Sequence, residues 1–247
     1  MLRVIEAAAE LTCGTPKDIA WYVRGHEPTL TDIQSIRNTI LHIEAYFSPH
    51  TFFVSKEFYS RTRLYGLADY GAKYAREIMG IDTARAFEIR DVEHEHLVTL
   101  FHIHLRQFAA KKKFLFAWRQ DLVDHKKPIN PDAIATLGSD AGKFIFCIEP
   151  ERQTFNSNYL KKAKKYFEVF GKPEAKQLFS AEKFRAIFVV LTDRKRKYVL
   201  EQFAKEYPYK MFWITTVDLF QKDMGAKIFL TPKDHQTETY ALLDVLK

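Results

Sequence analysis

Two cysteines in 247 residues, Cys13 and Cys147, are too few to staple a disulfide scaffold. They have no CxxC spacing for zinc or redox chemistry, so both are expected as buried thiols. No run of about eighteen apolar residues is present to span a bilayer. The stretch Met1-Leu2-Arg3-Val4-Ile5-Glu6 lacks the basic start, apolar middle and cleavage site of a secretory signal. A soluble cytoplasmic protein without a membrane partner is therefore expected. Glycine and proline are sparse at nine each, and no repeat or low-complexity stretch occurs, which excludes collagen-like, linker and disordered classes. What is abundant is apolar: 47% hydrophobic and 15% aromatic residues suffice for a sizeable core, and the length suits two domains.

Charge is unevenly placed. Between Arg152 and Lys210 fifteen basic residues face six acidic ones, a surplus larger than the +7 of the whole chain. Within that segment lie Lys161-Lys162-Ala163-Lys164-Lys165 and Arg194-Lys195-Arg196-Lys197. Clusters of this kind neutralise phosphates and release counterions, so Lys161, Lys164, Arg194 and Arg196 are candidate contacts to double-stranded DNA.

The first third alternates helical and strand-like patterns. Leu2, Ile5, Ala9 and Leu11 mark a first helix. Thr15-Pro16-Lys17-Asp18 then starts a second, with Thr15 as cap and Asp18 at the positive end of the helix dipole. A capping box of Thr31 and Gln34 is expected to open a third helix, whose apolar residues Ile33, Ile36, Ile40, Ile43 and Phe47 form one stripe. The opposite face presents Gln34, Arg37 and Asn38, side chains suited to base edges or phosphates. A hairpin is expected across Phe52 to Tyr65, with Arg61 and Arg63 on one face by the two-residue period. Leu67-Ala68-Asp69-Tyr70-Gly71 resembles the exit of many bacterial winged-helix domains.

The remainder alternates in an α-β-β-β-α-β-α-β order. A helix is expected from about Asp91 to Ala110, then strands at Phe114 to Trp118, from Pro131, and over Lys143 to Arg152. A basic helix near Ser157 to Phe170, a strand Ala186 to Leu191, a helix near Arg194 to Glu206 and a strand Met211 to Thr216 follow. With Pro131-Asp132 opening the second strand and Glu149-Pro150-Glu151 ending the third, this order resembles the PD-(D/E)XK nuclease fold. That resemblance implies acids converging on Mg²⁺ or Mn²⁺: Asp132, Glu149 and Glu151, with Glu93 or Glu95 completing the set. The usual lysine position holds Glu151, so the amine would have to come from Lys162 or Lys165 on the next helix.

A wider resemblance is to the replication-relaxation family of plasmid and mobile-element proteins. It rests on Leu67 to Gly71, the His94 to Leu105 helix, Trp118-Arg119-Gln120-Asp121, Pro131-Asp132-Ala133, Phe146 through Thr154, Leu160-Lys161-Lys162 with Tyr166, and Phe188 to Thr192 before Arg194. It implies an α/β (α+β) chain: an N-terminal winged helix-turn-helix over 1–80 and a PD-(D/E)XK-like mixed-sheet domain over 81–247. The function implied is DNA binding in replication control or mobilisation of a plasmid or mobile element, with replication or transfer proteins as further partners. Metal-dependent nicking and a relic nuclease fold that only binds DNA both stay open. A third reading comes from His94, His96, His102 and His104. On a strand, His102-Ile103-His104 would form the histidine pair of a rolling-circle initiator or relaxase, with Tyr159 or Tyr166 as nucleophile. The rhythm of Val98, Phe101, Leu105 and Phe108 favours a helix instead.

Overall fold

The computed structural model describes residues 1–58, 62–87, 92–120, 129–140, 142–151, 158–170, 183–234 and 238–245. It is a mixed α/β structure whose chain forms two compact units, Met1–Ile103 and His104–Lys247.

The N-terminal unit runs α1 (Leu2–Leu11), β1 (Cys13–Gly14), α2 (Pro16–Arg24), α3 (Leu30–Phe47), β2 (Phe53–Phe58), β3 (Thr62–Leu67) and α4 (Asp69–Glu77). Its three strands form an antiparallel sheet in the order β1-β3-β2. α2 starts as its residues dictate: the Thr15 hydroxyl accepts from the Asp18 amide while the Asp18 carboxylate accepts from the Thr15 amide. α3 begins differently from expectation. Its capping box is Thr29 with Asp32, not Thr31 with Gln34, because the chain is already helical at Leu30, and Gln34 instead donates to Asn38 at 3.0 Å. Ile36, Ile40 and Ile43 bury into one core with Ile5, Leu11, Ile19, Phe52 and Leu67. Gly71 lets α4 approach that core, since a Cβ there would stand 2.3 Å from the Phe52 carbonyl oxygen.

α5 (Val92–Lys111) is a continuous helix. Ile103, in its middle, is buried in the first core, and the two compact units meet inside α5 at Ile103–His104. The helix also answers the histidine question. His102 and His104 are two residues apart on a helix and point to different sides: His102 meets the Tyr22 ring edge-on at 5.9 Å, and His104 the Phe220 ring at 5.6 Å. The strand-borne histidine pair is not formed, because the apolar rhythm of α5 prevails.

The second unit is built on a seven-stranded mixed sheet in the order β10-β9-β8-β7-β6-β5-β4. Its strands are β4 (Leu115–Gln120), β5 (Ala133–Ser139), β6 (Gly142–Glu151), β7 (Lys183–Val190), β8 (Phe212–Thr216), β9 (Phe229–Leu230) and β10 (Thr239–Tyr240). β4, β5 and β6 form an antiparallel meander; β6, β7 and β8 are parallel. Parallel neighbours need crossovers, supplied by α6 (Asn158–Phe170) between β6 and β7 and α7 (Asp193–Glu206) between β7 and β8. A short α8 (Val217–Lys222) follows β8. β6 is buried from Phe144 through Glu151, as a strand covered on both faces must be. One face places Cys147, Ala186, Phe188, Val190, Phe212 and Ile214 against Tyr159, Ala163 and Tyr166 of α6 and Val199 and Phe203 of α7.

Candidate active site

Strand register places the acids. Ala133 of β5 pairs with Ile148 of β6, so in an antiparallel ladder the preceding residue, Asp132, comes opposite Glu149. Glu149 and Glu151 share the face of Cys147 by the two-residue period, and that face lies under α6. On α6, Lys162 and Tyr166 are four residues apart and project together. The Lys162 Nζ donates to Asp132 Oδ2 at 3.1 Å, contacts Glu149 Oε2, and stands 3.5 Å from Glu151 Oε1. The Tyr166 hydroxyl donates to Glu149 Oε1 at 2.5 Å. Side-chain exposure grades from 2% at Glu149 and 10% at Glu151 to 25% at Asp132 and 31% at Lys162, so the cluster has a buried floor and opens on the Asp132–Lys162 side.

Electrostatics follow from that burial. Desolvation, joined by the Asp132 charge, pushes the Glu149 carboxyl up to about 8 against the opposing pull of Lys162. Burial alone would lower Lys162, but Glu149, Asp132 and Glu151 outweigh it and hold the ammonium above its ordinary value. Tyr166 is raised by burial, then by the Cys147 and Glu149 charges, and so stays a hydrogen-bond donor.

Four of the expected residues, Asp132, Glu149, Glu151 and Lys162, are thus brought together. Lys165 is not among them: it lies exposed on α6. Glu95 is engaged within the first unit, where Arg85 Nη2 lies 3.3 Å from its carboxylate. Lys161 and Lys164 are exposed on α6, with Lys164 3.8 Å from Glu168. Arg194 is exposed at the start of α7, and Arg196 is held by Asp193 at 2.8 Å with its side chain 15% exposed. In the first unit Gln34, Arg37, Asn38 and Arg63 are exposed, and α3 contributes to an open groove of about 520 Å³ lined by Thr31, Gln34, Ser35, Asn38 and His42. Arg61 lies outside the described residues.

One residue escaped the sequence reading. Lys195, between the two arginines, is buried, with its ammonium 5.1 Å from the Tyr159 ring centre and 5.5 Å from that of Tyr198. Burial lowers its pKa, and the Glu151 charge opposes that shift. The available signal was helical spacing: Lys195, Val199 and Phe203 recur every four residues, and the latter two are core.

Carboxylate oxygens are the hard donors that Mg²⁺ or Mn²⁺ takes, so the chemistry of Asp132, Glu149 and Glu151 fits such an ion. Among the described residues no group of three or more His, Cys, Asp or Glu side chains is arranged to hold a metal ion, and the position among the three acids is taken by the Lys162 ammonium. No helix among the described residues is long and apolar enough to cross a membrane.

Against known proteins, no family model matches the chain and no curated protein does. Among solved structures it is similar to the restriction endonuclease FokI, at 14% identity and a TM-score of 0.36, over 99% of this chain and 45% of that one. The chain spans less than half the length of that protein, and at that TM-score the likeness carries no weight for fold or function.

Proposed function

We propose that this chain is a DNA-binding protein that cleaves or nicks DNA with a divalent metal. The observation that carries the reading is the convergence of Asp132, Glu149 and Glu151 on Lys162. The PD-(D/E)XK pattern needs carboxylates from two adjacent strands and an amine beside them. This chain has Glu151 where the amine usually stands, and α6 returns one from the other side. Asp132 and Glu149 would hold the ion, which when bound polarises the phosphodiester and lowers the pKa of the attacking water. Tyr166 fixes one Glu149 oxygen and leaves the other facing the cluster. Lys162, on the open side, is placed to donate to a phosphate oxygen as negative charge develops there. Glu151, 3.5 Å from the Lys162 ammonium, balances its charge in the metal-free chain.

The N-terminal unit is read as a winged helix. Its order of helix, strand, two helices and hairpin supports this, with α3 in the recognition position presenting Gln34, Arg37 and Asn38. Double-stranded DNA is the proposed partner, and a role in plasmid or mobile-element replication or mobilisation rests on the family resemblance of the sequence.

Incubation of the full chain with supercoiled DNA tests the reading. Nicked circles should form with Mg²⁺ or Mn²⁺ and disappear with a chelator or in Asp132→Ala. A covalent protein–DNA adduct that is lost on changing a tyrosine to phenylalanine would instead favour attack by that tyrosine.

A further inference from the structure

Among the described residues one ammonium, Lys162 Nζ, meets all three acids, and it is tethered to α6. Lys162 Nζ draws one oxygen from each acid: Asp132 Oδ2 at 3.1 Å, Glu151 Oε1 at 3.5 Å, and Glu149 Oε2. A divalent cation held by the cluster would need Glu149 Oε2, the oxygen the ammonium holds, because Tyr166 engages the other oxygen of that carboxyl. An ammonium already on that oxygen opposes the entry of a second cation, because repulsion at such separations is strong wherever water is scarce.

Which partner gives way is set by the surroundings. Glu149 is 2% exposed and pinned on its other oxygen by Tyr166; Glu151 is 10% exposed at the end of a strand buried on both faces. Lys162 is 31% exposed, on a flexible four-carbon stem at the open side. Glu149 and Glu151 are the buried members of the cluster, and the Lys162 ammonium, on its exposed side, is the group with a path to solvent.

We propose that Lys162 and a divalent cation occupy the carboxylate cluster in turn, the ammonium leaving toward solvent as the ion enters. Lys162 is then a built-in counter-ion that keeps three crowded carboxylates folded without metal. Once displaced, it lies on the side from which a phosphodiester would approach, so ion occupancy and presentation of the amine to substrate are one event. This rests on the hydrolytic reading above and deepens it.

Calorimetric titration of Mn²⁺ alone into the full chain tests it. Competition predicts that Lys162→Met binds Mn²⁺ more tightly than the wild type by on the order of tenfold or more, because no ammonium has to be displaced. Equal or weaker binding by the variant overturns the competition and leaves the cluster as an ion site. Absence of binding by both chains overturns the competition and the hydrolytic reading together. A measurement on the wild type needs no variant to fold: acetylation of Lys162 by an N-hydroxysuccinimide ester, followed by mass spectrometry, should accelerate several-fold on adding Mn²⁺. An unchanged rate overturns the proposal.

Discussion

The Tyr166 hydroxyl donates to Glu149 Oε1 at 2.5 Å while Lys162, one turn earlier on the same helix, holds the other oxygen of that carboxyl. One turn of α6 therefore determines where the most buried acid of the cluster points. Tyr166→Phe keeps the ring and its stacking but leaves a buried carboxyl oxygen short of a donor. The expected cost is about 1–3 kcal/mol, read as a lower urea midpoint with an unchanged slope.

A second buried acid gives a pH test in the other unit. Burial alone would raise Asp18, but the hydrogen bond and charge of His96, 2.9 Å away, and the hydrogen bonds of Thr15 hold it below 3.8. A carboxyl with a lowered folded-state pKa contributes stability that is present above the unfolded value and lost as pH falls through the folded one. Asp18→Asn should therefore cost on the order of 1–3 kcal/mol at neutral pH. The gap between variant and wild type should close below about pH 4. A gap that stayed constant to pH 2 would contradict this assignment.

Close approach at Gly71 makes a steric prediction. Alanine would put its Cβ 2.3 Å from the Phe52 carbonyl oxygen, a backbone atom with nowhere to rotate. Gly71→Ala should destabilise the chain by about 1–3 kcal/mol or more, in line with overpacked cores, despite alanine's better helix propensity. Thermal unfolding of the two chains decides it.

DNA affinity should depend steeply on salt, and the exposed face of α6 should account for part of the slope. Replacing Lys161, Lys164 and Lys165 with alanine spares Lys162 and so leaves the carboxylate cluster intact. For every phosphate that the variant no longer neutralises, the slope of log affinity against log salt should fall by about one unit, equally for all sequences. Fluorescence anisotropy across a salt series would show an unchanged slope if this face does not meet DNA. Arg37→Ala on α3 should instead relax sequence preference, since a bidentate base contact contributes about 1–3 kcal/mol of discrimination.

The strands and helices were legible because their periods are strong: β6 is apolar on both faces, and Ile36, Ile40 and Ile43 keep one stripe. That Asp132, Glu149 and Glu151 converge was implied by the resemblance to the nuclease pattern, with Asp132 opening one strand and Glu149 and Glu151 ending the next. Finer choices depended on tertiary contacts. Thr29-Asp32 and Thr31-Gln34 are both three apart with a plausible acceptor, and only where the backbone turns helical separates them. Lys162 and Lys165 look alike in a run of lysines, yet Lys162 shares a face with buried Tyr166 and Lys165 does not. Lys195 was hidden for the opposite reason: inside a basic run its charge suggested solvent, while its spacing with Val199 and Phe203 placed it in the core.

The most direct measurement is the rate of DNA nicking by Glu149→Gln against wild type, at matched Mg²⁺ or Mn²⁺ and with equal folding checked by circular dichroism. Glutamine keeps the size of the side chain and an oxygen for Tyr166, but it cannot carry the charge. If Glu149 holds the ion, nicking should fall by on the order of 10²-fold or more. A Glu149→Gln chain that nicks as fast as the wild type, or a wild type that leaves supercoiled DNA intact with either ion, would contradict the hydrolytic account.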